Sequence, residues 1–497
     1  MMKGTPPRVI CIGAGPAGLT AAYHLGKAAA SVTVLERDPR LVGGISRTET
    51  YKSFRFDVGG HRFFSKSQEI EDLWEELLGE ELLTRQRKSR IFYNGKLFDY
   101  PLRALDVIPK LGLFESLGFL LSYGKARMFP IRNPQTFEDW VTNHFGHRLF
   151  NIFFKSYTEK VWGMKCKEIS ADWAAQRIQG LSLGSAVVNA LIPSRFRGAS
   201  SVKTLIETFR YPPLGPGQMW DAAAEKISAA GNEVLLGMNV KSLEQDPDTQ
   251  VWRVSAYSHD GKLHVYEAEH VISSVPILDL AEYMVDCLPD FIFTAARTLR
   301  YRDFLTVALV TKDTDCFDDN WIYIHDASVR VGRIQNFKSW SPHMVPDPEF
   351  NCLGLEYFCF EGDGLWESSD EDLIRLADEE LIKLGLVTPG HVVDGTVIRQ
   401  PKAYPVYDEN YEEKVNLVRS WLGKNKPGLH LVGRNGMHKY NNQDHSMMTA
   451  LLTAENILSG EERWDVWQVN QDAEYHESGS DQRLALHERM VPRPVDS

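Results

Sequence analysis

The feature that most limits what this chain can fold into is its opening. Apolar Arg8 to Ile12 runs directly into Gly13-Ala14-Gly15-Pro16-Ala17-Gly18, then a helical pattern from Leu19 to Lys27 and a second apolar strand from Ser31 to Leu35. Strand, glycine turn, helix, strand is one β-α-β unit, the building block of a parallel sheet. The GxGxxG glycines let backbone close on a pyrophosphate, and the helix N-terminus favours its negative charge. Glu36 stands 23 residues past Gly13 at the end of the second strand. From there a carboxylate reaches ribose hydroxyls. Gly13, Gly15, Gly18 and Glu36 are therefore expected to hold a dinucleotide.

Other classes of protein are set aside by composition. With 497 residues, 43% hydrophobic and 25% charged, the chain has about three domains' worth of globular sequence. Its 55 basic residues against 67 acidic ones give a net charge of -12, which argues against nucleic acid or an anionic membrane as the main partner. Any anionic ligand must be held by a few local arginines. Cys11, Cys166, Cys287, Cys316, Cys352 and Cys359 are widely spaced, with no zinc-ligand pattern, so they read as reduced core thiols and no metal is expected. The first strand follows Met1 too closely for a signal peptide, which predicts a cytoplasmic protein. The most apolar long window, Leu111 to Tyr123, contains Glu115 and is followed by Lys125 and Arg127. It is too short for an integral membrane segment.

Further along, Ile70, Leu73, Trp74, Leu77 and Leu78 fall at helical spacing within Gln68 to Leu78. Arg90 to Tyr93 and Lys96 to Tyr100 flank Asn94-Gly95, the signature of a tight hairpin. From Leu102 to Leu191 the pattern is mostly helical, broken at Pro130 and Pro134. The cluster from Tyr211 to Gly217 reads as a linker, followed by a helix from Met219 to Ala229. Short strands are expected at Glu233 to Leu236, Trp252 to Tyr257, His264 to Glu267 and Val271 to Val275. Others fall at Leu305 to Thr311, Trp321 to His325, Arg330 to Phe337 and Leu353 to Phe360, which suggests a separate antiparallel sheet. A last strand, Leu429 to Gly433, leads into a helix from Ser446 to Leu458, and the composition after Glu461 predicts a loose polar tail.

The segment Gly43-Gly44-Ile45-Ser46-Arg47-Thr48, with Phe54 to His61 after it, resembles the second flavin fingerprint of the FAD-dependent amine oxidase and protoporphyrinogen oxidase-like superfamily. Gly43, Gly44 and Gly60 would give a flavin close access to backbone. The resemblance implies noncovalent FAD. Within that superfamily, several separated motifs resemble the UDP-galactopyranose mutases, more the eukaryotic type than the short bacterial one. They are Asp57-Val58-Gly59-Gly60-His61, Lys160-Val161-Trp162-Gly163, Arg333 with Trp340-Ser341-Pro342, Tyr404-Pro405, and Gly433-Arg434 through Asn442-Gln443-Asp444-His445-Ser446.

That resemblance implies an α/β fold: a Rossmann-like FAD-binding domain, a helical insertion and a mostly antiparallel sheet domain. The expected division is 1–88, 205–290 and 425–462 for the first, 102–204 for the second, 89–101 and 291–424 for the third, and 463–497 for the tail. The family's activity is interconversion of pyranose and furanose nucleotide sugars through a reduced-flavin N5-sugar adduct, with NADPH or NADH as reductant, in the making of cell-surface polysaccharide. By the same resemblance Arg333, Arg434 and Arg177 grip a diphosphate, Tyr404, Tyr440 and Asn442 assist, Trp162 lines the cleft, and His61 faces the flavin. A homo-oligomer is compatible with the pattern. Two departures stand out: Ser339-Trp340 replaces an Asn-Tyr pair, and the segment between Tyr440 and Gln443 is two residues shorter. The alternative within the superfamily is an FAD oxidase or desaturase acting on a neutral or cationic substrate.

Overall fold

The computed structural model describes residues 6–100, 104–171, 208–313, 317–408 and 410–470. The opening unit forms as expected, with Arg8–Ile12 and Ser31–Leu35 as adjacent parallel strands joined by the helix Pro16–Lys27. That helix starts before the apolar periodicity does. Pro16 takes its first turn, where a missing N–H goes unneeded. Ala17, Gly18, Ala21 and Ala22 are buried on it, and their small size lets the helix lie close against the sheet.

Five parallel strands complete this sheet in the order Leu429–Leu431, His270–Ser273, Arg8–Ile12, Ser31–Leu35, Glu233–Leu235. The helix Gln443–Ser459 packs against Pro16–Lys27. It is buried on nearly every side, with Met447, Met448, Leu451 and Leu452 in the core beside buried Thr449 and Thr453. An antiparallel trio, Asn239–Gln245, Trp252–Tyr257 and Leu263–Ala268, lies beside this sheet's end. The first of the trio escapes sequence reading because only Val240 and Leu243 of its seven residues are buried.

The larger sheet has seven strands, in the order Val392–Pro405, Tyr301–Lys312, Phe350–Cys359, Arg333–Asn336, Trp321–Ile324, Ser89–Tyr93, Lys96–Asp99. Every pairing is antiparallel except that of Trp321–Ile324 with Ser89–Tyr93. The expected hairpin is present, with Asn94 and Gly95 at φ 49° and 72°. The central strand Tyr301–Lys312 is buried along all but its last residue. Val392–Pro405 is the edge strand, and Gly395, Pro401 and its charged residues hide it from sequence reading. The helix Asp370–Lys383 was likewise not expected, although Ser369, whose side chain accepts from the Asp372 N–H, marks its start.

Helices Ala104–Leu111, Leu113–Met128 and Phe137–Phe145 match the helical pattern and its break at Pro130. The pattern expected from residue 172 on lies outside the described residues. Two expectations need correction. The cluster after Tyr211 is a fixed corner rather than a linker: Tyr211 ends a strand, Thr208–Tyr211, paired with Leu83–Gln86, and its hydroxyl donates to buried Asp57. The tail is not loose from its start, since Trp464, Val466 and Trp467 pack on the core and Val469 is fully buried. Lys439 Nζ fixes that stretch through the Trp467 and Val469 carbonyls. Those four apolar residues were the signal.

Free thiols are found at Cys11, Cys166, Cys352 and Cys359, all buried, and at half-buried Cys287, while Cys316 lies outside the described residues. Among the described residues no helix is long and apolar enough to cross a membrane.

Candidate functional site

Two cavities meet where the two sheets face each other. The larger, about 630 Å³, runs from the glycine turn along the carboxyl ends of the parallel strands, the place where open α/β sheets bind ligands. Gly13 (φ 99°) donates its N–H to Leu35 O at 2.8 Å. A Cβ on Gly18 would lie 1.9 Å from Gly13 O, so that glycine is needed for the helix to meet the turn. Gly15 is different. A Cβ there meets only Gly44 Cα, at 3.9 Å, and otherwise points into the open cavity. It caps a helix whose first turn has no side-chain partner, which leaves the N–H groups facing the space where a pyrophosphate would sit.

Glu36 lines this cavity, its carboxylate accepting from the Ala14 and Asp38 N–H groups at 2.7 and 2.9 Å. Gly43 and Gly44 take positive φ, and Gly43 donates to Ala14 O at 2.8 Å, bringing the second glycine cluster against the first. The fit is to a long, two-ended dinucleotide.

A second cavity, about 200 Å³, is lined by Gly59, Gly60, His61, Arg62, Trp321, Tyr323, Arg333, Gln335, Trp340, Tyr404, Arg434, Tyr440, Asn442 and Asp444. Ile45, Arg434 and Gln443 line both cavities and form the boundary between them. Residues separated by up to four hundred positions therefore converge on one chamber.

His61 directs Nε2 to Val58 O at 2.9 Å and Nδ1 to Ser46 Oγ at 3.4 Å. Since a carbonyl only accepts, the proton sits on Nε2. Burial lowers its pKa to about 4, with Arg434 and Arg333 pushing the same way against the Val58 carbonyl. It is neutral at pH 7, with one nitrogen engaged by its own loop and the other by Ser46 of the second glycine cluster.

Arg333 donates through Nε and Nη2 to Glu356 Oε2, its cross-strand neighbour, and Glu356 is fully buried. Arg434 donates Nε to Asn441 O at 2.8 Å and Nη1 to Ala403 O at 3.3 Å. Its guanidinium lies 5.2 and 5.1 Å from the Tyr404 and Tyr440 rings, which stack on each other at 5.4 Å. Arg333 Nη1 and Arg434 Nη2 have no hydrogen-bond partner among the described residues.

Trp162 does not line either cavity. It packs against Tyr404 and Tyr440, which do line the inner one, at 6.3 and 6.2 Å. Lys160 and Gly163 of the same motif make structural contacts. Lys160 Nζ donates to the Ile324, Asp326 and Val331 carbonyls, and a Cβ on Gly163 would meet Arg302 at 2.7 Å. Arg177 lies outside the described residues.

The indole at position 340 is likewise spoken for: Trp340 Nε1 donates to Asn320 O at 2.9 Å and the ring stacks on Trp321 at 5.4 Å. Sequence reasoning missed Gln335, Glu356 and Arg62. It quoted Asp444 only as part of a motif, yet this buried carboxyl is pushed up to about 7 by burial, against hydrogen bonding that includes Ser65.

Fold and cradle together define a protein of two-sheet architecture whose parallel half carries a dinucleotide-type cradle. The chain belongs to the flavin containing amine oxidoreductase family, whose model matches residues 16–457. The family implies a flavin such as FAD, and Gly13, Gly15, Gly18, Glu36, Gly43 and Gly44 are the residues that would hold it. The chain is 22% identical to protoporphyrinogen oxidase 2, chloroplastic/mitochondrial, of Arabidopsis thaliana, over 86% of this chain and 89% of that one. It is 26% identical to the dTDP-fucopyranose mutase of Escherichia coli over 33% of this chain and 44% of the relative, so less than half of that enzyme is spanned. A crystal structure of reduced UDP-galactopyranose mutase superimposes with a TM-score of 0.78 over 92% of this chain and 94% of the other, at 22% identity. That likeness shows a shared fold.

Proposed function

We propose that the protein is a flavin-dependent nucleotide-sugar mutase, interconverting pyranose and furanose forms of a sugar carried on a nucleoside diphosphate. The observation that carries this reading is the pair Arg333 Nη1 and Arg434 Nη2, two guanidinium nitrogens without a hydrogen-bond partner among the described residues, in a chamber that adjoins the dinucleotide cradle. A mutase must stabilise a departing diphosphate, and fixed cations do so where charge develops. Glu356 and the Asn441 and Ala403 carbonyls hold the two planes in place, so little ordering remains to be done when phosphate arrives. Tyr404 stays protonated, its pKa raised to about 12 first by burial, and offers a hydroxyl donor beside them. When bound and reduced by NADPH or NADH, the flavin supplies a nucleophilic nitrogen to the sugar. His61, neutral and tied to Val58 and Ser46, fixes the loop between sugar and cofactor.

A second reading, an oxidase or desaturase for an apolar substrate, draws on the aromatic wall of Trp321, Tyr323 and Trp340. It leaves the two arginines without a role, and they would repel an amine.

The arginines decide between these readings. Arg434→Ala is the cleaner variant, because Arg333→Ala strands the buried Glu356 carboxylate. A charge-assisted hydrogen bond is worth roughly 1.5–3 kcal/mol, and about 1.4 kcal/mol is tenfold. Calorimetry is expected to show UDP or dTDP binding weakened about ten- to a hundredfold in Arg434→Ala with flavin content unchanged. Equal affinity in wild type and variant would remove the argument for a diphosphate site.

A further inference from the structure

On the wall of the inner chamber, Gln335 is fully buried, and its side-chain amide is oriented by chemistry alone. Its Nε2 donates to Glu356 Oε1, whose other oxygen accepts from Arg333, so turning the amide round would set oxygen against oxygen. Gln335 Oε1 must therefore face the other way, toward Gly60, where a built Cβ would lie 3.2 Å from it and 3.5 Å from Trp340 Cζ2. That oxygen has no hydrogen-bond partner among the described residues. Buried acceptors are nearly always satisfied, and an orphan at a binding chamber marks a missing donor.

The chamber narrows which donor this is. An ammonium would enter beside Arg333, Arg434 and Arg62, all lining the same space. A neutral hydroxyl has no such conflict. Gln335 also sits two residues from Arg333 on the same strand, and both side chains end on Glu356. One carboxylate thus sets the spacing between a phosphate donor and a hydroxyl acceptor.

We infer that Gln335 Oε1 accepts a hydrogen bond from one hydroxyl of the bound sugar and so selects which sugar the chamber takes. This rests on the nucleotide-sugar reading above. The lack of a side chain at Gly60 is what gives a sugar ring access to this oxygen, with the edge of Trp340 as the apolar surface next to it.

The test uses the flavin-loaded protein and measures affinity for UDP, UDP-galactopyranose and its monodeoxy analogues, in wild type and in Gln335→Met, a variant of similar length without the amide. UDP affinity is expected to be unchanged in the variant, while UDP-galactopyranose binds about tenfold more weakly. One deoxy analogue should bind wild type with the same loss, and the two losses should not add. Should Gln335→Met fail to fold, the analogue series on wild type alone still decides, because equal affinity for every deoxy analogue overturns the inference. Equal weakening of UDP and UDP-galactopyranose in the variant also overturns it, since Gln335 would then act only through Glu356 and Arg333. Tight UDP binding with either of these results rejects the Gln335 role and leaves the diphosphate site standing. If wild type binds neither UDP nor UDP-galactopyranose, both readings fall together.

Discussion

Asp57 is fully buried beneath the His61 loop, accepting from the Tyr211 hydroxyl and from Thr48 Oγ1. Burial raises its pKa to about 8 against the pull of those two donors, where an unfolded chain would show about 4. The folded protein thus keeps a proton that the unfolded chain releases. Stability from this source is fully present below about pH 4, declines as pH rises, and is gone above about pH 8. Asp57→Asn carries the neutral state permanently. Its Tm is expected to fall less steeply than that of wild type between pH 5 and 8, and parallel profiles would show that the aspartate is ionised in the fold. Other single residues show why the site was only partly readable. Arg333 and Arg434 stood out because each lies in a motif that carries the family resemblance. Glu356 and Gln335 did not, because each sits within a run that reads as ordinary sheet core, and their pairing exists only once two strands come into register.

At the scale of elements, the glycine turn divides into two kinds of requirement. Gly18 is held by packing, since a Cβ there overlaps Gly13 O. Gly15 faces open space and is needed only if something occupies that space. Gly15→Val is therefore expected to fold with a Tm close to that of wild-type apoprotein yet to purify colourless. Gly18→Val should lose the fold itself. A yellow Gly15→Val protein with full flavin content would show that the cofactor does not approach the first turn of the Pro16–Lys27 helix. The Arg8–Leu35 unit was legible because its period, glycines and terminal carboxylate all agree. Val392–Pro405 and Asn239–Gln245 were not, since an edge strand and a half-exposed one carry too few apolar residues to show alternation.

For the whole molecule, the cradle of the parallel sheet and the part of the inner chamber that holds Arg333, on the antiparallel sheet, are separated by a boundary made by Ile45, Arg434 and Gln443. Sequence reading found both halves but could not show that they meet at those three residues, because that depends on packing between segments far apart in the chain. We propose that this boundary serves a reaction in which the flavin must be reduced and is returned reduced. It is tested most directly by incubating the flavin-loaded protein with UDP- and dTDP-hexopyranoses, with and without dithionite, and identifying the sugars by NMR. Furanose product is expected only in the reduced sample, with many turnovers for each reduction and no oxygen consumed per turnover. Peroxide formed in proportion to substrate by the oxidised protein, with no isomerised sugar in either sample, would rule out a mutase and favour an oxidase.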